Sequence, residues 1–379
     1  MADETLQVLI LPSRSLVAGL PPSLRCAHRA ASELPGARIL LMEDTSAARR
    51  FRRQLELLAS VETGGAAGPC AKAPLLAVSG DGFPQPGALQ AFLSRARGAG
   101  SQAVWTCGGQ VVAAYRSDPA GRDLQEAARL ALQARDACAS LELPGWLAAG
   151  ERAQAAKAER ALFASLPKDT DGYLARLDRR LSLALSAFLL RFPVTPNDIT
   201  TAGLALSLLG AWLLASGRYR WTLAGSLLLW FCCLLDGCDG EVARLKLLCS
   251  PDGAAYDLAS DHLSHLATFI AIPVGARRAF PGLSFFWPGT LLLSGFLASA
   301  YSVWHLVLRR PEAERGAGAL FIERVASRDY VYLIVLAAAA GRLDWFLDAA
   351  AVGSHLFWLA LWLLAWPRRR VSAVPKPST

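Results

Sequence analysis

Several common signatures are missing from this chain of 379 residues. Its eight cysteines, at 26, 70, 107, 138, 232, 233, 238 and 249, form no CxxC pair and have no accompanying histidine spacing. That absence argues against zinc and predicts free thiols, several of them packing as small hydrophobes in apolar runs. No basic stripe is interleaved with aromatics, so the net charge of +8 is not read as a nucleic-acid surface. The N-terminus has Asp3 and Glu4 before a short apolar run, Leu6 to Leu11. It lacks the basic head and longer core of a secretory signal, and the N-terminal part is expected to stay on the side where it is made. No internal repeat is evident, which counts against an inverted-repeat transporter.

What is present divides sharply. Hydrophobic residues make up 53% of the chain while charged residues remain at 18%, a balance that suits a soluble module fused to membrane spans. From Leu6 to about Tyr115, apolar runs alternate with helix-like segments: LQVLIL, PSLRCAHRAASEL, ARILLMED, a charged stretch from Ala47 to Leu58, PLLAVSG and PGALQAFLSRA. This is an α/β rhythm. AVWTC and QVVAAY flank Gly108-Gly109 and read as a hairpin, and Ala-rich helical segments are expected over about 121–165. The expected organisation is an α/β domain over 1–166, an interfacial linker helix over 167–192, an all-α six-helix transmembrane domain over 193–370 and a flexible tail over 371–379.

The linker places Leu174, Leu177, Leu181, Leu185 and Phe188 at helical spacing, with Arg176, Arg179 and Arg180 on the other side, as a helix lying on a membrane surface would. Six apolar segments follow, at roughly 198–216, 220–247, 254–275, 284–308, 328–341 and 344–366. A cytoplasmic N-terminal side places Arg244, Lys246, Arg309, Arg310, Arg315, Arg324, Arg328 and the tail Arg368, Arg369, Arg370 and Lys376 inside. The other face keeps only Arg218, Arg220, Arg277, Arg278 and Arg342, so the basic bias supports this orientation in the cell (inner) membrane.

The most informative stretch is LLDGCDGEVARLKLLCSPDGAAYDLASDHLSH, from Leu234 to His265. Carboxylates beside or within membrane spans are costly unless paired, hydrated or bound to a cation. Asp236, Asp239, Gly240 and Ala243 fall at i, i+3, i+4 and i+7 of one helix, and Gly253, Asp257 and Asp261 at i, i+4 and i+8 of the next. Two helices can therefore aim two carboxylates each at one site. Divalent ions remove the repulsion among them and prefer hard oxygen ligands, so one or two Mg²⁺ or Mn²⁺ ions are expected. Gly240, Ala243 and Gly253 lack bulk, which lets a nucleotide approach, and Arg244 can pair with a phosphate. Glu241 and Asp252 are expected to be surface or loop acids. His262 and His265 are read as packed or interfacial before any role in tuning a base.

These residues match D-x-x-D-G-x-x-A-R, then eight residues, then G-x-x-x-D-x-x-x-D, at every fixed position. The segment resembles the signature of the CDP-alcohol phosphotransferase (CDP-alcohol phosphatidyltransferase) family. Thr195-Pro196-Asn197 with Thr200 resembles the TPN-x-x-T element that opens the family's first span. The resemblance implies transfer of a phosphoalcohol, phosphatidyl or polyol-phosphate, from a CDP-alcohol to an acceptor hydroxyl, with release of CMP. It implies Asp236, Asp239 and Asp257 as metal ligands, with Asp261 as both ligand and general base. Gly240, Ala243, Arg244, Gly253 and Asn197 would line the CDP site, and the enzyme would be a homodimer in a lipid bilayer. Arg324 and Arg328 suit an acceptor phosphate, although positive-inside anchoring explains them equally well.

The order of domains, with Lys168, Asp171, Gly172, Arg180 and Ser182 in the linker, resembles bifunctional inositol-1-phosphate cytidylyltransferase and di-myo-inositol-phosphate-phosphate synthase proteins. Their soluble half makes the CDP-alcohol, using a glycine-rich loop after the first strand. Here LQVLIL runs into PSRSLVAG, which lacks that loop, and Asp81 before Gly82 is more simply a turn residue. A degenerate nucleotidyltransferase-like domain, serving as scaffold or regulator, is expected. The competing readings are a bifunctional synthase, an ion-coupled transporter using the acids as a cation path, and a membrane scaffold without activity.

Overall fold

A computed structural model describes residues 6–13, 15–42, 51–56, 61–63, 73–117, 132–133, 139–166, 173–309 and 330–365. The chain forms two compact units that do not follow its linear order. The first comprises Met1–Gly172, Leu183–Pro196 and Asp239–Pro251; the second comprises Tyr173–Ser182, Asn197–Cys238 and Asp252–Thr379.

In the first unit the elements run β1 (Gln7–Ile10), α1 (Pro22–Glu33), β2 (Arg38–Leu41), α2 (Arg52–Glu56), β3 (Val61–Thr63), β4 (Leu75–Val78), β5 (Gly82–Pro84), α3 (Ala88–Ala99), β6 (Gln102–Cys107), β7 (Gln110–Arg116), β8 (Ala139–Glu142), β9 (Trp146–Ala148) and α4 (Arg152–Ala164). Seven strands make one mixed sheet in the order β3-β2-β1-β4-β7-β6-β8, and β5 pairs with β9 apart from it. β1 runs parallel to both β2 and β4. Every residue of β1 and β4 is buried, which is why β4 and, after the buried Gln7, β1 read as apolar runs without alternation. The strand order reverses between β1 and β4, the place where open α/β sheets form a crevice at their carboxyl ends.

The hairpin of β6 and β7 turns at Gly108 and Gly109, with φ of +56° and +76°. Trp105 on β6 is wholly buried, stacks on Phe92 and meets Trp146 edge-on, both at 5.7 Å. Its indole N–H donates to the Leu143 carbonyl at 2.9 Å, so the large ring leaves no polar atom unsatisfied. Of the Ala-rich helical segments expected over about 121–165, the described residues show helix at 132–133 and over Arg152–Ala164; 121–131 and 134–138 lie outside the described residues. Residues 139–142 instead form β8, paired parallel with β6 from Ala103↔Ala139 to Thr106↔Glu142, and Pro144-Gly145 turns the chain into β9. Non-local pairing here overrides local helix propensity. Among the described residues no disulfide links the cysteines.

The linker is helical as α5 (Tyr173–Leu189). It buries Ser182 and Ser186 while leaving Leu181 and Phe188 exposed at 41% and 52%. The remaining apolar segments are helices α6 (Pro196–Leu214), α7 (Tyr219–Leu245), α8 (Pro251–Ala279), α9 (Phe286–Val303, continued by a π-turn over Trp304–Leu308), α10 (Tyr330–Ala339) and α11 (Leu343–Ala365). Of the described helices, α6, α7 and α11 are long and apolar enough to cross a membrane. Small residues bring the helices together. A Cβ at Gly225 would lie 2.6 Å from the Gly210 carbonyl oxygen, and one at Gly275 only 2.2 Å from that of Leu214. Large apolar side chains point outward, Trp212, Trp287 and Leu363 being at least 70% exposed. This is the distribution expected where lipid, not water, is the outer solvent.

A methyl group has no room at Gly80, where a Cβ would meet the Leu11 and Pro12 carbonyl oxygens at 2.2 and 2.4 Å, but it has open space at Gly98. Gly80→Ala should therefore destabilise the first unit by about 1–3 kcal/mol through overpacking. Gly98→Ala should raise its stability by about 0.5–1 kcal/mol through helix propensity. Thermal unfolding of both variants in detergent, followed by tryptophan fluorescence, reads the opposite signs.

Candidate active site

Helix α7 carries Asp236 and Asp239 one turn apart near its C-terminal end, and α8 carries Gly253, Asp257 and Asp261 on successive turns of its first half. Pro251 occupies the first position of α8, where its missing N–H costs nothing, and the connection from α7 is only five residues long. Two consecutive helices joined so tightly must run antiparallel as neighbours, so their acid-bearing ends face one another.

Asp236, Asp257 and Asp261 converge: a carboxylate oxygen from each lies within 4.8 Å of the other two, and all three residues are half-buried in the second unit. Three like charges at this spacing repel strongly in an apolar environment. A divalent ion fits the arrangement, because bonds of about 2.0–2.6 Å to hard oxygens span oxygen pairs of up to roughly 5 Å. Asp239 is outside this trio. It is buried at 5% exposure, one turn further along α7, and packs with the first unit.

Arg244 is exposed and folds back along α7, its guanidinium nitrogens 3.6 and 3.9 Å from where a Cβ of Gly240 would stand. A methyl group at 240 would meet that arginine at ordinary van der Waals distance. Ala243 and Gly253 are half-buried and Asn197 is exposed near the start of α6. The Asn197 carbonyl accepts a hydrogen bond from Thr201 Oγ1 at 2.7 Å, and the Thr201 hydroxyl lies 2.9 Å from the Tyr256 hydroxyl. The start of α6 is thus tied to the residue beside Asp257. Ser207 donates to Ser264 at 2.7 Å two turns deeper, pinning the same helix pair. Neither Tyr256 nor Ser264 is singled out by the sequence, since only the packing of α6 on α8 gives these hydroxyls partners.

Glu241 corrects one expectation. It is not a surface acid: it is fully buried and accepts a hydrogen bond from Ser186 of α5 at 2.7 Å. Asp252 is exposed, as expected of a first-turn acid. His262 Nδ1 lies 2.8 Å from the Leu258 carbonyl oxygen one turn back. His265 packs among Phe269, Phe296 and Tyr330 at ring separations of 5.7–6.4 Å, a packed aromatic environment. Asp81 sits in a turn, its N–H bonded to Ser79 Oγ and its carbonyl accepting from Ala149. Arg309 is exposed with its guanidinium 4.8 Å over the Trp304 ring. Arg324 and Arg328 lie outside the described residues.

Residues 193–366 match the sequence profile of the CDP-alcohol phosphatidyltransferase family. A "Bifunctional IPC transferase and DIPP synthase" of Rubrobacter xylanophilus is 36% identical over 145 residues, covering 36% of this chain and 31% of the relative. The protein of the same name from Archaeoglobus fulgidus is 35% identical over 114 residues, covering 30% of this chain and 22% of the relative. The chain thus spans a third or less of the length of these relatives. Among solved structures, Mycobacterium tuberculosis phosphatidylinositol phosphate synthase with CDP-DAG bound is similar at 18% identity and a TM-score of 0.40, over 52% of this chain and 98% of the other. The same protein with manganese and citrate gives 19% and 0.38, over 51% and 93%.

If the trio holds a cation, Asp236→Asn and Asp257→Asn should each weaken Mn²⁺ binding by at least about tenfold. Titration of free Mn²⁺ by electron paramagnetic resonance checks this without any substrate, and unchanged affinity would remove the metal assignment.

Proposed function

We propose that this chain, whose residues 193–366 match the CDP-alcohol phosphatidyltransferase family profile, transfers a phosphoalcohol group from a CDP-alcohol to an acceptor hydroxyl and releases CMP. The observation that carries the reading is the convergence of Asp236, Asp257 and Asp261 from consecutive helices. Asp239 completes the ligand set in this proposal. One or two divalent ions, Mg²⁺ or Mn²⁺, would supply charge neutralisation on the bridging diphosphate.

The chain's own residues divide the remaining work. Asp261 accepts the proton of the acceptor hydroxyl as its oxygen attacks the phosphorus distal to cytidine. A new oxygen–phosphorus bond forms, the bond from that phosphorus to the bridging oxygen breaks, and CMP leaves with the electron pair. Gly240, Ala243 and Gly253 let the nucleotide approach the helix backbone, Arg244 offsets a phosphate charge, and Asn197 contributes from the start of α6. Arg324 and Arg328 are assigned to an acceptor phosphate.

In this proposal residues 193–370 cross the bilayer as six spans, with the acids at the cytoplasmic leaflet and the chain acting as a homodimer. Supporting this, exposed Tyr219, Trp221, Phe286, Trp287 and Trp345 cluster at the starts of α7, α9 and α11, the ends remote from the acids. Arg218, Arg220 and Arg342 stand beside them, and the Arg342 guanidinium lies 4.2 Å over the Trp345 ring. Aromatics with arginines form the belt typical of an interface. On the acid side, the exposed Leu181 and Phe188 of α5 suit a helix resting on the headgroups. The soluble domain is assigned no cytidylyltransferase activity, for want of a phosphate-binding loop after β1. The bifunctional alternative is kept alive by the names of the two relatives.

Purified protein with Mn²⁺ or Mg²⁺ and a panel of CDP-alcohols and acceptors should release CMP. Chelation with EDTA should stop that release and added metal restore it. Asp261→Asn should lower turnover by about 10²–10⁴-fold while sparing nucleotide binding; undiminished turnover would remove its role as base. With CTP and a polyol phosphate, the full chain should release no pyrophosphate, and release would favour the bifunctional reading.

A further inference from the structure

The last two turns of the acid-bearing helix α7 pack inside the first unit together with the α/β domain. Four contacts fasten them, and the two residues that follow, within that unit. Arg25, the fourth residue of α1, is 6% exposed and donates through Nη2 to the carbonyls of Val17 and Leu245, both at 2.8 Å. Val17 belongs to the β1–α1 connection and Leu245 is the last residue of α7. Lys246 Nζ donates to the carbonyls of Phe192 and Val194, at 3.1 and 2.7 Å. Glu241 is held by Ser186. Leu247 packs against the core cluster that contains Val17, Leu20 and Leu24.

Leu247 is the most telling of these. It adopts φ +54°, and the following N–H, of Leu248, donates back to the Ala243 carbonyl at 2.8 Å. This is the left-handed position after a helix end that glycine ordinarily fills, and a γ-branched side chain there is strained. Closing the helix would be served better by glycine. The leucine side chain is explained by what it touches, the apolar core of the α/β domain. Arg25 shows the same logic in charge. The C-terminal end of a helix presents unsatisfied carbonyls and a partial negative charge, which a buried guanidinium meets directly. Burial lowers the Arg25 pKa to about 10, with the Glu159 carboxylate opposing that shift, so the side chain is charged at neutral pH.

We propose that the β1–α1 corner of the α/β domain, the position where such folds hold nucleotide phosphates, is here a socket for the C-terminal end of α7. Arg25 and Leu247 are positioning residues for the metal-bearing helix. The soluble domain thereby sets the register of Asp236 and Asp239, which precede Leu245 by nine and six residues on the same helix. The inference rests on the phosphotransferase reading for its catalytic consequence, but the socket is measurable without it.

The test uses full-length protein in lipid nanodiscs, with Leu247→Gly, Arg25→Ala and Arg25→Lys. Leu247→Gly is chosen because glycine relieves the strain at φ +54° and removes only the side chain. Backbone amide exchange over 241–250 should quicken by about tenfold in Leu247→Gly and Arg25→Ala and by less in Arg25→Lys, while β1 and β4 keep their protection. Mn²⁺ affinity should fall in step. kcat for CMP release should drop about tenfold with the KM for the CDP-alcohol within about twofold, the signature of misplaced reacting groups and not of lost binding.

Unchanged or slower exchange in Leu247→Gly would overturn the socket, since glycine then merely closes the helix better. Faster exchange with Mn²⁺ affinity and kcat both unaltered would overturn the positioning role. If Arg25→Ala does not fold, Leu247→Gly and Arg25→Lys decide the question. A wild-type chain that binds Mn²⁺ but releases no CMP overturns the phosphotransferase reading alone, leaving the socket to be judged by exchange and Mn²⁺ affinity.

Discussion

Repulsion among three carboxylates held within 4.8 Å of one another is the constraint around which the second unit is organised. Such a group persists in an apolar surrounding only if the helices bearing it are locked against separation and if the charge can be met by a cation. The lock is made of small residues. Gly275 lets α8 touch the last residues of α6, Gly210 and Gly225 let α6 and α7 touch, and serine and threonine hydroxyls pin α6 to α8. Where lipid surrounds the helices, close backbone approach and interhelical hydrogen bonds supply the association that water would otherwise drive.

The same helix that delivers Asp236 must also end somewhere, and its end creates a second demand. Four terminal carbonyls of α7 have no intrahelical donor. Within the first unit, the buried Arg25 meets one of them, the Leu245 carbonyl. A return turn through the left-handed Leu247 closes the helix from its own backbone. The end of α7 and the α/β domain thus belong to one compact unit.

Much of the architecture was legible because burial leaves a plain mark on apolar pattern. β1 and β4, buried on both faces, appear as LQVLIL and PLLAVSG, and the Gly108-Gly109 turn announces the β6–β7 hairpin. The strands over 139–148 were not legible, because Ala139–Glu142 is strand only by pairing with β6, more than thirty residues earlier. Glu241 misled for the same reason. Its neighbour spacing gives no hint of burial, and only the docking of α5 brings Ser186 to its carboxylate.

The acids were determined by the sequence itself, since helical periodicity is local and places Asp236 with Asp239, and Asp257 with Asp261, on common faces whatever the surroundings. The apolar lengths of α6, α7 and α11 were determined in the same way. Which carboxylates actually meet, and what holds the end of α7, were decided only by tertiary structure. Crossing helices bring together side chains from separate turns at distances set by packing, and Arg25 reaches Leu245 across 220 residues of chain. No local pattern encodes a contact of that span.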